Sequence, residues 1–218
     1  MAISSPNVNA EDYFIDDSVE AEPKHGTTVQ AGWDALNSVI KPKRENKDYP
    51  TDFKWTEEAR LIWFLGDSPF AVYKQHWIDR TEGRRSFVCT GTECPLCNIA
   101  GDIPRPKAAF NVLVLSDETP NVQILTASTS LAKQLEAAHV DPRRGPLAKH
   151  FWAVSRIGRG LDTSYTLDRV RASELAEEWE LDPDEVTSIA NNAVKYDATA
   201  IFVAPNEEMV EVARQLVG

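Results

Sequence analysis

PFAVYKQHWIDRTEGRRSFVCTGTECPLC, residues 69–97, contains all three cysteines of this 218-residue chain, and the reading of the fold starts there. Cys89, Cys94 and Cys97 fall within nine residues in the spacing C-x4-C-x2-C, with Pro95 inside the last pair. A C-P-x-C turn lets two thiolates converge on one ion while nearby backbone N–H groups point at the sulfurs. Thiolates suit redox-inert Zn²⁺, and structural zinc sites are closed and four-coordinate. Three reduced structural cysteines are the plain alternative, and a catalytic thiol is a further one. Three thiols gathered in one place suit ligation better than nucleophilic attack.

Three thiolates leave one position of a tetrahedron open, and hairpin geometry nominates its occupant. If Glu82 and Gly83 form a two-residue loop, Thr81 pairs with Arg84, and His76 falls directly opposite Cys89 on the same face of the sheet. A one-residue slip would move the imidazole to the other face. His25, His139 and His150 are the rivals, without a comparable local argument. The expected ligand set is therefore His76, Cys89, Cys94 and Cys97. With no open position, such a site staples the fold, turning metal-binding free energy into folding free energy.

The flanking sequence has β texture. Residues 60–66 (RLIWFLG), 69–78, 86–89, 109–115 and 121–126 read as short strands, and residues 150–160 and 163–172 return to that character. Residues 130–140 carry the leucine and alanine spacing of a helix, with Ser128 or Ser130 as its cap. Residues 172–181 and 181–194 read as two more helices, the second with Asp182 as N-cap and Pro183 at the first helical position. ATAIFVAP (residues 198–205) reads as a strand, and residues 206–217 as a closing helix. Upstream, residues 1–28 read as an acidic flexible arm, 32–40 as a short helix and 41–50 as a basic linker. Short strands interrupted by one helix, followed by a helical end, fit a small β-barrel with appendages.

The formal charge of −11 hides an uneven distribution. Residues 1–22 carry six acids and no Lys or Arg, and residues 162–218 carry 13 acids against four bases. The middle of the chain is left with 15 acids and 19 bases, a mildly basic stretch compatible with phosphate contacts. The odd cysteine count and the start of the sequence, neither basic nor apolar, lead us to expect a reducing cytoplasm rather than export. No apolar run is long enough to cross a membrane.

Aromatic and basic residues alternate around the cysteines. Single-stranded nucleic acid calls for this mixture, because bases stack on ring faces at about 1–3 kcal/mol each while Lys and Arg track the phosphates. The expected contacts are Tyr73, Lys74, Arg84, Arg105, Lys107, Phe110, Arg156 and Arg159. Strand alternation sends only one face of each strand to a groove, so many of the other rings belong to the core.

In order and spacing, PFAVYKQHW, SFVC, CPLC and FNVLVL resemble the core of the T-even-type bacteriophage single-stranded-DNA-binding (helix-destabilising) proteins. The whole chain, including GPLAKHFWAVSR and LAEEWELDP, is also similar to single-stranded-DNA-binding proteins of actinobacterial tailed phages. The resemblance implies a mainly β fold with helical additions, namely an OB-type five-stranded barrel carrying a small zinc subdomain with one His and three Cys ligands. The implied layout is an acidic arm over 1–28, a DNA-binding core over 29–170 with the zinc subdomain at about 70–107, and an acidic helical region over 171–218. It implies one structural Zn²⁺ and a role in phage DNA replication, recombination and repair, in the cytoplasm of an infected bacterial host. The family's basic N-terminal module has no counterpart in the acidic residues 1–22. Its low-complexity acidic tail, which recruits replication partners, is absent, and the acidic helices from Ala172 onward are the segment expected to stand in for it toward phage or host replication proteins. The alternative is a zinc-stapled interaction module of a phage that binds a host or phage protein. An enzyme is not expected: the sequence has no phosphate-cradling G-x-x-x-x-G-K, no nucleophile motif and no H-x-E partner for a deaminase zinc.

Overall fold

The computed structural model describes residues 50–218 apart from Arg159. The acidic arm, the helix expected at 32–40, most of the basic linker, His25 and Arg159 lie outside the described residues.

Seven strands form one antiparallel sheet: β1 Arg60–Phe64, β2 Ala71–Trp77, β3 Ser86–Val88, β4 Arg105–Val114, β5 Asn121–Ser128, β6 Phe151–Ile157 and β7 Ser164–Val170. Their order is β3-β2-β4-β1-β6-β7, and β5 lies along the other edge of β4. The long β4 organises the sheet. Its first half pairs with β2, from Gln75↔Arg105 to Ala71↔Ala109, and its second half pairs with β1, from Phe64↔Val112 to Ile62↔Val114. Thus β1 and β2 share one edge of β4, with residues 65–70 looping out between them.

The run FNVLVL is apolar on both faces because both faces of the sheet are covered there. On one face Ile62, Phe64, Phe110, Val112, Leu125 and Trp152 pack under Leu131 and Leu135 of helix α2 (Thr129–Val140). Ser128, one of the two candidate caps, starts that helix by accepting the Leu131 N–H. The fully buried Trp152 keeps its indole N–H paired with the Leu147 carbonyl at 2.9 Å. On the other face Leu61, Leu113, Leu115, Phe151 and Val170 are covered by Leu175 of α3 (Ala172–Glu178) and by Val186 and Ala190 of α4 (Pro183–Asn192). Asp182 caps α4 as expected, its Oδ1 accepting the Asp184 N–H at 2.9 Å, and Pro183 is the first helical residue. The one amide in the run, Asn111, donates to the Tyr196 carbonyl and accepts the Tyr196 N–H, which ties the C-terminal linker to the sheet.

The sheet is open. Among the described residues no ladder joins β5 to β7, so the seven strands do not close as a five-stranded barrel would. Chain that is not strand crosses the gap instead: Phe53 N–H donates to the Ile124 carbonyl, Ile124 N–H to Thr51, and Arg156 N–H to Thr56. Phe53 and Trp55 bring their rings to the core along this path.

The strand expected at 198–205 is replaced by a 3₁₀ turn, Ala198–Ala200, followed by extended chain outside any ladder. Asp197 accepts the Thr199 N–H at 2.8 Å, and this local bond outcompetes strand pairing. The closing helix α5 (Asn206–Val217) forms as expected, and it buries Met209, Val212 and Ala213 against Ile78, Phe87, Leu96 and Cys94. Part of the acidic C-terminal region is therefore the packing partner of the cysteine unit. Among the described residues no helix is long and apolar enough to cross a membrane.

Candidate metal centre and nucleic-acid face

The β2–β3 hairpin does not turn at a two-residue loop. Its register pairs His76 with Phe87, Gln75 with Val88 and Trp77 with Ser86, and Ile78 N–H donates to the Arg85 carbonyl. The loop therefore spans residues 79–84. A two-residue type I′ turn needs positive φ at both central positions; Gly83 has it (76°), and Glu82 does not. The register shift relative to the simple turn is two residues. An even shift preserves the face, so His76 and Cys89 remain on one side of the sheet as diagonal neighbours.

From there the short helix α1 (Pro95–Asn98), with Cys94 as its N-cap and Pro95 at its first position, turns Cys94 and Cys97 back toward the hairpin. His76, Cys89, Cys94 and Cys97 then place one donor atom each within 4.8 Å of one another. The Cys89 and Cys97 sulfurs are 3.7 Å apart, and His76 Nε2 lies 3.4 Å from Cys94 Sγ and 3.6 Å from Cys97 Sγ. A tetrahedral ion bonded at about 2.3 Å to sulfur and about 2.05 Å to nitrogen has S···S edges near ~3.8 Å and S···N edges near ~3.6 Å. These three separations already match such edges. All three cysteines are free thiols, and the 3.7 Å between the Cys89 and Cys97 sulfurs is far beyond the roughly 2.05 Å of a disulfide.

The electrostatics also call for a cation. Burial pushes the Cys94 thiol up, but the backbone N–H groups around it and the Cys89 side chain outweigh burial and bring it down to about 6. Burial, the bond to Cys89 and the negative charge on its neighbours push Cys97 up to about 12. One thiolate forms readily, and the next forms only against repulsion that a bound metal ion would cancel.

Asp102 joins the centre without ligating. Its Oδ2 accepts from His76 Nδ1 at 2.6 Å, which fixes the imidazole proton on Nδ1 and presents the Nε2 lone pair to the sulfurs. Gly101 makes this reach possible, because its positive φ (66°) turns the chain out of α1 and lets Asp102 N–H donate to the Leu96 carbonyl. Sequence reasoning missed Asp102, since a carboxylate 26 residues from its histidine leaves no spacing signal.

On the opposite face of β2 from His76, Tyr73, Gln75 and Trp77 line a groove of about 410 Å³. Its walls include Trp55, Thr126 and Phe202. Tyr73 is half-buried there, and Trp77 is 65% exposed. Arg84 also lines the groove; its guanidinium sits 4.1 Å above the Phe202 ring and 3.5 Å from Glu208. Lys107 lies directly opposite Tyr73, and Arg105 opposite Gln75, which puts both on the groove's side of the sheet. Burial, with Arg105's charge, lowers the Lys107 pKa.

Three expected contacts fall elsewhere. Lys74 alternates onto the His76 face, away from Tyr73. Phe110 is a core residue, 4% exposed and edge-on to Phe64 at 5.9 Å, because its strand is buried on both faces. Arg156 is half-buried at the end of β6, opposite Tyr165, and reaches Thr163 Oγ1 at 3.4 Å. The Tyr165 ring is 4.7 Å from Trp55, so Arg156 borders the groove's end without lining it. Trp55, Trp77 and Phe202 are the rings that sequence reasoning left out. Trp77 is accessible by alternation, since it is four residues from Tyr73 on one strand; Trp55 and Phe202 come from irregular segments that carry no periodicity.

No family model, curated protein or solved structure matches this chain.

Proposed function

We propose that this protein binds single-stranded DNA in the groove above β2 and that a structural Zn²⁺ holds the groove's wall in place. The observation that carries this reading is the gathering of Trp55, Tyr73, Trp77 and Phe202 around one groove, with Arg84 in its lining and Arg105 and Lys107 beside it. Exposed rings accept any base by stacking, and the cations neutralise the phosphates between them. Zinc is the metal of choice because three sulfurs and one imidazole form a soft, tetrahedral donor set with no redox demand. The ion works from the other side of the hairpin: β2 carries His76 on one face and the groove residues on the other, so fixing the ligands fixes Tyr73 and Trp77. An OB-type ancestry, and membership of the phage single-stranded-DNA-binding family, fit the same reading.

A fluorescence titration with oligo(dT) tests it, with duplex DNA as control. Tryptophan emission should quench on binding the single strand, duplex should bind more weakly, and log K should fall linearly with log[salt]. Absence of quenching and of binding at low salt refutes the proposal. Metal analysis tests the cofactor: one zinc per chain is expected, and a His76→Ala variant that holds zinc as tightly as the native protein refutes the ligand set.

A further inference from the structure

We propose that Arg143, Arg144, Lys149, Arg169 and Arg171 form a second phosphate-binding surface, which holds nucleic-acid backbone after it leaves the aromatic groove. The inference rests on the DNA-binding reading above and extends it to a part of the fold that the groove does not include.

The five cations come from two segments separated in sequence. The loop after α2 supplies Arg143, Arg144 and Lys149, and the end of β7 supplies Arg169 and Arg171; all five residues are exposed. Guanidinium bonds to backbone lock the segments together. Arg169 Nη1 donates to the Arg143 carbonyl at 2.6 Å, and Arg144 Nη2 donates to the Leu167 carbonyl at 2.6 Å. Each guanidinium has five N–H donors, so these bonds aim the groups and leave most donors free.

The surrounding acids reduce the patch's charge without cancelling it. Asp141 and Asp67 accept the backbone N–H groups of Arg143 and Ala148, and neither forms an ion pair with the five cations. Asp168 alternates onto the opposite face of β7 from Arg169. Among the described residues only Glu174 forms an ion pair with a member, at 3.9 Å from Arg171 Nε. Five gathered cations in a chain of formal charge −11 repel one another and favour an anionic ligand. The field is felt by His150, whose pKa is lowered by burial first and then by the charges of Arg169 and Lys149.

The chemistry fits phosphate and not bases. The ring beneath Arg144, Trp152, is fully buried and offers bases no stacking face. Its position suits a continuing strand. Tyr165, in contact with Trp55 of the groove, and Arg169 lie four residues apart on β7, about 13 Å at the rise of a strand.

The test compares a short oligo(dT) of about 6 nucleotides, which the groove alone accommodates, with one of about 30 that extends beyond it. The variant combines Arg143→Gln, Lys149→Gln and Arg171→Gln and leaves the guanidinium bonds of Arg144 and Arg169 intact. On the long oligonucleotide, binding should weaken at least about tenfold. The slope of log K against log[salt] should become shallower by about 2, at about 0.7 for each phosphate that the variant no longer neutralises. On the short oligonucleotide, affinity and slope should be those of the native protein. Equal losses at both lengths, or no loss at either, overturn the inference. Native protein that binds neither length overturns the groove reading as well, whereas intact native binding with an unaffected variant removes the second surface alone.

Discussion

Replacing Asp102 by alanine removes the hydrogen-bond partner of His76 Nδ1 and leaves the four candidate ligands untouched. His76 is fully buried and its N–H loses its carboxylate acceptor, so the imidazole gains access to the tautomer and ring orientations that Asp102 excludes. A carboxylate bond at 2.6 Å is short and charge-assisted, but the Asp102 side chain is about one-third exposed, which screens part of its effect. Losses of this kind weaken metal binding by about 10- to 100-fold, or roughly 1.4–2.7 kcal/mol. Asp102→Asn keeps an acceptor without the charge and should fall between alanine and the native residue. Competition against a chromophoric chelator measures the affinity, and ¹⁵N chemical shifts of the His76 ring report the tautomer directly. Metal affinity within about twofold of native in the alanine variant, with an unchanged ring tautomer, would refute the reasoning from the Asp102 bond.

Phe110→Ala and Trp77→Ala should separate core from groove. The first empties a buried site and should cost about 3–5 kcal/mol of stability in denaturant unfolding; the second should leave stability nearly unchanged and weaken oligo(dT) binding by about 1–3 kcal/mol. Removing the metal by chelation should loosen α5 before the central sheet, because Met209, Val212 and Ala213 pack against the cysteine unit. Hydrogen exchange should then show reduced protection in residues 206–217 while β1, β4 and β6 stay protected. In the metal-free protein the Cys94 thiol, lowered from 9.0 to about 6, binds fewer protons folded than unfolded, so it contributes stability above pH 9 that is lost as pH falls through about 6. Cys97, raised to about 12, acts oppositely, its contribution being present below pH 9 and lost as pH rises toward 12. Denaturant midpoints of the chelated protein should therefore rise from pH 6 to pH 9 and fall above it.

The ligand set is legible in the sequence because an even register shift does not change a strand's face. The simple hairpin turns at Glu82–Gly83; the actual loop is four residues longer, and His76 still meets the sulfurs. The apolar run 110–115 announces a strand, but not that helices cover both sides of it, so Phe110 reads as an exposed ring when it is core. The helix caps at Ser128 and Asp182 are local chemistry and are readable as such. Asp102, Trp55 and Phe202 reach their places through turns and irregular chain, where no period in the sequence records which side chains will meet. The apolar run 201–203 carries strand propensity but joins no ladder, and the Asp197 turn sets the chain that leads into it.

Photo-cross-linking with oligo(dT) carrying 5-iododeoxyuridine, followed by mass spectrometry of the peptides, tests the groove most directly. The account predicts adducts on Tyr73, Trp77, Trp55 or Phe202, diminished by competing single strand and by salt. Adducts confined to residues outside the groove, or none under conditions where the protein holds its metal, would contradict it.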